Sequence, residues 1–210
     1  MLEIINNLNT IQSKNEEVFE AGKTNEYDHF WDVLQKNGGK AVYEYTFFNF
    51  PAEIYNPKYD FIFDSYSSYS ANSTFRTLQA PDILKNCDFT LMTAIGLYYT
   101  FYQSSKLVNA RTLKLNEKVK FTNPFIGCTN LEEVRFDGTI GQTGLGFNNS
   151  SKLSIKSLRS ILTALSKDSA QASGKTITFN TASKTIIEAD AECSTQLASA
   201  IAAGWTIAYA

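Results

Sequence analysis

Histidine is almost absent from this chain: His29 is the single one in 210 residues. Imidazole is the commonest metal ligand, so a multi-histidine metal site is excluded. His29 itself reads as a surface or packing residue. Cysteine is scarce and scattered: Cys87, Cys128 and Cys193 stand 41 and 65 positions apart with no Cys-x-x-Cys pair. Structural zinc and thioredoxin-type redox chemistry therefore have no support, and the three are expected to be reduced, buried thiols. No apolar run approaches the roughly 18 residues of a membrane span, so membrane insertion is not expected. The start, Met1 to Leu8, lacks a basic stretch followed by an apolar one, so no export signal is expected. Positive charge is not in excess: 19 Lys and Arg face 21 Asp and Glu, for a net charge of −2. Nucleic acid is then not an expected partner.

Motifs for catalysis are also missing. Thr139 to Gly146 is glycine-bearing but has neither Gly-x-Gly-x-x-Gly nor the lysine of a P-loop. Gly141, Gly144 and Gly146 read as turn glycines. Glu132–Glu133 and the pair Asp60 and Asp64 could serve a glycosidase if they met in space, but a solvated face is the favoured account. No catalytic residue, metal ligand or cofactor is assigned, and a non-enzymatic role is expected.

Aromatic residues are abundant, with 15 Phe and 11 Tyr, and 43% of the chain is apolar. That composition is globular, and the length suits one domain or one domain with a small appendage. Residues 3 to 19 read as a helix. Ile4, Leu8, Ile11, Asn15 and Val18 follow the 4-3-4-3 spacing of a coiled-coil seam. Such a stripe suits oligomerisation or anchoring; packing on its own domain is the alternative. A second helix starts near Thr24 or Asn25 and carries Tyr27, Phe30, Trp31 and Leu34 on one face. Gly38-Gly39 stops it. Tyr43 to Phe50 and Tyr59 to Asp64 are β-prone. Ser65 to Thr74 is rich in Tyr and Ser, a composition that suits a recognition surface as well as a polar turn. Tyr66, Tyr69, Tyr98 and Tyr99 are the candidate recognition residues.

The most informative feature is a phrase written three times: Phe101-Tyr-Gln-Ser-Ser-Lys-Leu107, Phe125-Ile-Gly-Cys-Thr-Asn-Leu131 and Phe147-Asn-Asn-Ser-Ser-Lys-Leu153, at steps of 24 and 22 residues. A period in the twenties points to a solenoid in the leucine-rich-repeat range. Weaker echoes start at Phe63 and Ile83. The Phe and Leu positions should face a shared core, because one coil alone is too small to bury them. The small residue at the fourth position should sit where the chain bends inward. Strands should follow each Leu at Ala110 and Thr112 and at Val134 and Phe136. Leu113, Leu115, Val119 and Phe121 suggest another strand. Ser154 can cap a helix with the stripe Ile155, Leu158, Ile161, Leu162 and Leu165. Strands over 176–179 and 205–209, with a helix around 190–202, should then cover the last coil.

Phe125-Ile-Gly-Cys-Thr-Asn-Leu-Glu-Glu-Val-Arg-Phe-Asp-Gly-Thr-Ile140 resembles the repeat of the BspA-like leucine-rich-repeat family. The resemblance covers residues 101 to 153 and is looser over 59 to 100. Glu26 to Gly38 and the end at Gly204-Trp205-Thr-Ile-Ala are similar to segments flanking such repeats in proteins of Firmicutes phages and prophages. The resemblance implies an α/β fold: a leucine-rich-repeat (BspA-like) solenoid with N-terminal helices and an α/β C-terminal cap. The expected organisation is a helical anchor or oligomerisation segment over 1–39, the solenoid over 40–153 and the cap over 154–210. It further implies a phage virion structural protein of the tail, baseplate or fibre, attaching to the host surface. A head decoration or head-fibre protein and a bacterial BspA-like surface adhesin are the alternatives. The expected partners are other virion proteins, further copies of the chain with a trimer preferred, and a host cell-surface protein or glycan.

Overall fold

The computed structural model describes residues 60–64, 72–92, 96–168 and 174–210. The proposed N-terminal helices, with Ile4, Leu8, Ile11, Asn15 and Val18, lie outside the described residues, as do Tyr66 and Tyr69. The fold is mixed α/β, with all strand pairing parallel. Four strands, β1 (Phe61–Asp64), β2 (Cys87–Leu91), β4 (Asn109–Leu115) and β6 (Glu133–Gly138), form one sheet in the order β1-β2-β4-β6. The short strands β3 (Leu97–Tyr98) and β5 (Phe121–Thr122) pair with each other. β7 (Gly146–Phe147), β8 (Lys175–Phe179) and β9 (Trp205–Tyr209) make a third sheet. Three helices are described: α1 (Ile155–Ser166), α2 (Thr181–Ala189) and α3 (Ala191–Ala202).

Register puts like residues side by side. Phe61 pairs with Cys87, Cys87 with Leu113 and Leu113 with Phe136, and all four are buried. Ile62, Asp88, Lys114 and Asp137 pair across the same strands at the alternate, outward positions. Alternation along a half-buried strand requires this division.

Opposite the large sheet, the three phrases form one column. The ring of Phe101 stacks on Phe125 at 5.0 Å and Phe125 on Phe147 at 5.1 Å. Leu107, Leu131 and Leu153 are buried as well. Each phrase opens with the same turn: Ser104, Cys128 and Ser150 donate their N–H to the carbonyls of Phe101, Phe125 and Phe147. The column extends in both directions. Phe75 stacks on Phe101 at 5.1 Å with the rings 4° from parallel, and Phe179 of β8 stacks on Phe147 at 6.0 Å. Phe75, rather than Phe63 or Ile83, is thus the preceding member. Phe63 instead stacks on Phe89 at 4.4 Å on the side of the large sheet.

The turns carry a shared backbone signature. Ser73, Tyr99 and Asn123, two residues before Phe75, Phe101 and Phe125, have φ of 54°, 50° and 47°. Two residues after each Phe, Thr77, Gln103 and Gly127 have φ of 53°, 56° and 80°. Left-handed backbone at bulky residues costs energy, and only packing from both sides holds it. Here that packing is a ladder in which Ser73, Phe75 and Thr77 donate N–H to the carbonyls of Tyr98, Thr100 and Tyr102, and Tyr99, Phe101 and Gln103 donate to Thr122, Pro124 and Ile126.

Some expectations need correction. Leu113 and Leu115 continue β4 and do not start a new strand, while Phe121 belongs to β5. Gly146 lies in β7, not in a turn. Gly144 does require glycine, since φ is +95° and a Cβ would fall 2.1 Å from the Phe121 carbonyl oxygen. A helix not expected from the sequence, α2, holds Ile186 and Ile187 and is capped by Asn180, whose side chain accepts the Ala182 N–H. The following helix, α3, is capped by Asp190, which accepts from the Cys193 N–H at 2.8 Å.

Helix α1 closes the open edge of β6. Ser154 accepts the Ser157 N–H as N-cap. The Ser157 hydroxyl accepts the Val134 N–H at 2.9 Å and donates to the Glu132 carbonyl, and Ser160 accepts the Phe136 N–H at 2.8 Å. An exposed strand edge invites pairing with another chain, and these two hydroxyls take up its donors. Arg159, between them in sequence, forks onto Asp190 at 3.0 and 2.6 Å and ties α1 to the start of α3.

Two outcomes test this packing. Phe125→Ala should destabilise by about 3–5 kcal/mol in urea unfolding, as expected for a ring at the middle of a packed column; a change under about 1 kcal/mol would contradict the column. For the cap, the Arg159 guanidinium and the Cys193 N–H hold the Asp190 carboxyl well below its ordinary 3.8. A depressed acid stabilises the fold fully above its unfolded value and loses that contribution as pH falls through the folded value. Asp190→Asn should therefore lower the midpoint of thermal unfolding at neutral pH, and its gap to the parent protein should narrow below pH 3.8. A gap that widens on acidification would contradict the assignment.

Candidate functional site

The outer face of the large sheet is polar and heavily cross-linked. Asn86 donates its side-chain NH2 to both oxygens of Asp60 at 3.2 Å and accepts the Thr112 N–H at 3.1 Å. Its own N–H also reaches Asp60. One step further along, Asp82 accepts the Leu84 N–H and Asn109 accepts the Arg111 N–H, each through its side-chain oxygen two residues back. Leu84 and Arg111 have φ of 66° and 56° as a result. Both are Asx turns, in which a short polar side chain replaces a ladder bond.

In β4 this turn falls inside the strand. The pairing of β4 with β6 shifts register between Asn109 and Thr112, so the strand bulges outward at Ala110–Arg111. Ala110 stays buried while Arg111 is thrown onto the outer face. There its Nε donates to Asp82 at 2.8 Å and its Nη2 reaches the other oxygen of the same carboxylate. The bidentate fork fixes the guanidinium in the plane of the carboxylate.

Beside the bulge, between β4, β6 and the first turn of α1, lies an open groove of about 380 Å³. Its floor is the fixed network of Asn86, Asn109 and Arg111. Thr112, Glu133, Arg135 and Lys156 line the rest with their side chains uncommitted to one another. Arg135 and Lys156 are exposed and make no ion pair with any described residue. The Oε2 of Glu133 is enclosed yet has no hydrogen-bond donor among the described residues.

The candidate recognition residues fall elsewhere. Tyr98 is in β3 and Tyr99 follows it, both half-buried on the side of the β3–β5 pair. Tyr99 sets its ring edge-on to Tyr102 at 5.2 Å, and the Arg76 guanidinium lies 5.0 Å from the same Tyr102 ring. Neither tyrosine lines the groove. Glu133 was visible in the sequence only as one of two adjacent acids. Arg135 is the outward residue between Val134 and Phe136, so strand alternation was the signal that could have found it. Lys156 had none, because its place depends on where α1 lands.

The cysteines are packed. Cys87, Cys128 and Cys193 are all free and buried. Cys128 donates its Sγ–H to the Phe101 carbonyl at 2.9 Å. Burial pushes its thiol up to about 12. Burial, with Asp190 adding to it, pushes Cys193 to about 12 as well, and burial with Asp60 and Asp88 raises Cys87. Among the described residues, no three His, Cys, Asp or Glu side chains are grouped to hold a metal ion. No family model, no curated protein and no solved structure matches this chain.

Thiols held protonated and enclosed should not react. At about pH 8, where an ordinary cysteine is partly thiolate, a thiol reagent should find almost none in the native protein and three after denaturation without reductant. Rapid native reaction, or fewer than three in the denatured chain, would contradict the packing or the unpaired state.

Proposed function

We propose that residues 40–153 are a leucine-rich-repeat solenoid of the BspA-like kind, closed by residues 154–210, and that it serves as a binding scaffold in a phage virion. One observation carries the scaffold: a single column of rings, Phe75, Phe101, Phe125, Phe147 and Phe179, passes through successive turns whose strands pair in parallel. Each turn contributes one ring to the core and one outward position to a common face, which is how a stack of small units builds a wide, rigid surface. A rigid surface of ordered polar groups suits binding, since its side chains lose little freedom when a ligand arrives.

The virion assignment rests on the resemblance of the flanking segments, Glu26 to Gly38 and Gly204 to Ala208, to phage-type proteins. Residues 1–39 would then attach the chain to other virion proteins or to its own copies, as a trimer by preference, and the scaffold would face the host surface. A tail, baseplate or fibre position is favoured because attachment is the task of those parts.

The direct test is location. Particles purified from a producing culture should carry the protein at a fixed ratio to the other virion proteins. Recovery with the bacterial envelope and absence from particles would overturn the virion role in favour of a surface adhesin. Deleting residues 1–22 should leave a folded protein that no longer assembles or enters particles, read by light scattering and by blotting of particles. Unchanged assembly would remove the anchor role from this segment.

A further inference from the structure

We propose that the groove between β4, β6 and α1 binds an acidic saccharide, one sugar carboxylate lying between Arg135 and Lys156 and sugar hydroxyls meeting Glu133 and Thr112. This deepens the scaffold's binding role and rests on it, but it is independent of where the protein is used.

The groups available to a ligand decide its chemistry. Arg111 is neutralised by its fork onto Asp82. That leaves two exposed cations without ion-pair partners, Arg135 and Lys156, against one carboxylate, Glu133. The excess is a single positive charge, which a monoanion balances. A phosphate dianion would meet the Glu133 carboxylate in the same groove, and like charges held that close oppose each other. Glu133 also sets a second demand. A carboxylate oxygen enclosed without a donor is costly, so the fitting ligand brings hydroxyl or amide hydrogens beside its own negative charge. The Thr112 hydroxyl has no partner among the described residues and can donate or accept. Anion, vicinal donors and acceptors together describe a uronic acid or another carboxylated sugar.

What the groove lacks narrows the choice further. No aromatic ring lines it, and its one apolar member, Val134, is buried. A nucleotide base or an apolar peptide side chain would find no face to pack on, whereas a small polar ligand needs none. The volume of about 380 Å³ lies at the lower end of the size usual for small-ligand sites. The floor is preorganised by the Asn86, Asn109 and Arg111 bonds described above, so little ordering is left for the ligand to impose.

The experiment is a titration of the full-length protein followed by NMR or calorimetry. The probes are galacturonate, with galactose as the neutral control and inorganic phosphate as a bare anion. Galacturonate should bind and galactose should not, with affinity falling as salt rises. Arg135→Ala and Lys156→Ala, both at exposed positions, should each weaken binding about tenfold, a loss typical of one charge-assisted contact. Glu133→Gln removes the like charge and should shift the preference from galacturonate toward phosphate. No binding of galacturonate, binding unaffected by these variants, or phosphate binding as strong as galacturonate in the parent protein would overturn the assignment. Because particle incorporation is read separately by blotting, the failure of either result leaves the other standing.

Discussion

Stacked phenylalanines set the pitch on which the rest of this molecule depends. Parallel strands stand about 4.8 Å apart, and the rings of Phe75, Phe101, Phe125 and Phe147 follow one another at 5.0 to 5.1 Å. The match lets like side chains at like positions pack face to face, at the short end of favourable ring separations. It also confines the turn beneath each ring. The chain must reverse there within a few residues, and carbonyls are left facing the core. They need donors small enough to fit under a ring. Ser104 donates its hydroxyl to the Phe75 carbonyl, Cys128 its thiol to the Phe101 carbonyl, and Ser150 its hydroxyl to the Cys128 carbonyl. Serine and cysteine are thus interchangeable at the fourth position of the phrase because both offer one short donor and little bulk.

Once the pitch is set, the outer face follows. Positions in register on β1, β2, β4 and β6 are brought side by side, and their side chains then have neighbours on the adjoining strands. Asp60 with Asn86, Asn86 with Thr112, and Asp82 with Arg111 are all links between one strand segment and the next. Asparagine does the same along the loops: Asn116 donates to the Thr90 and Met92 carbonyls, Asn130 to Ser105 and Asn180 to Asn148. Each amide satisfies a backbone group that no ladder bond reaches. The polar surface is therefore part of the sheet's cohesion and not merely its coating.

The three phrases were legible in the sequence because their constraint is local: a ring, a small donor and a leucine at fixed offsets. Phe75 was not, since Leu78 stands where the others have Ser or Cys. The structure explains the exception. The Leu78 N–H itself donates to the Ser104 hydroxyl, so the neighbouring turn supplies the polar group that Leu78 lacks. Helix α1 was legible from its Ser154 cap and from its stripe, of which Leu158, Ile161, Leu162 and Leu165 are buried and Ile155 is exposed. Helix α2 was hidden because its buried face has only Ser183 and Ile187, too few for a periodic signal. The groove could not be read from the chain at all. Its members come from β4, β6, α1 and the residue that leads into β2, and only pairing of the strands, together with the bulge at Ala110–Arg111, brings them to one place.

The position of that groove has a physical cause in the way the sheet ends. The same backbone bond recurs from turn to turn: Val108 donates its N–H to the Pro81 carbonyl, Glu132 to Val108, and Ser154 to Glu132. Ser154 thus enters as the next strand would. From there the chain coils instead, as α1, and Ser157 and Ser160 take over the edge of β6. A helix is about 10 Å across with its side chains, roughly twice the spacing between strands. It cannot lie against β6 as closely as a strand and still continue the outer face flush with it. A step is left between β6 and α1, beside the bulge of β4. The element that takes up the edge of β6 is therefore also the element that leaves a polar groove beside it, and it places Lys156 of its first turn on the rim.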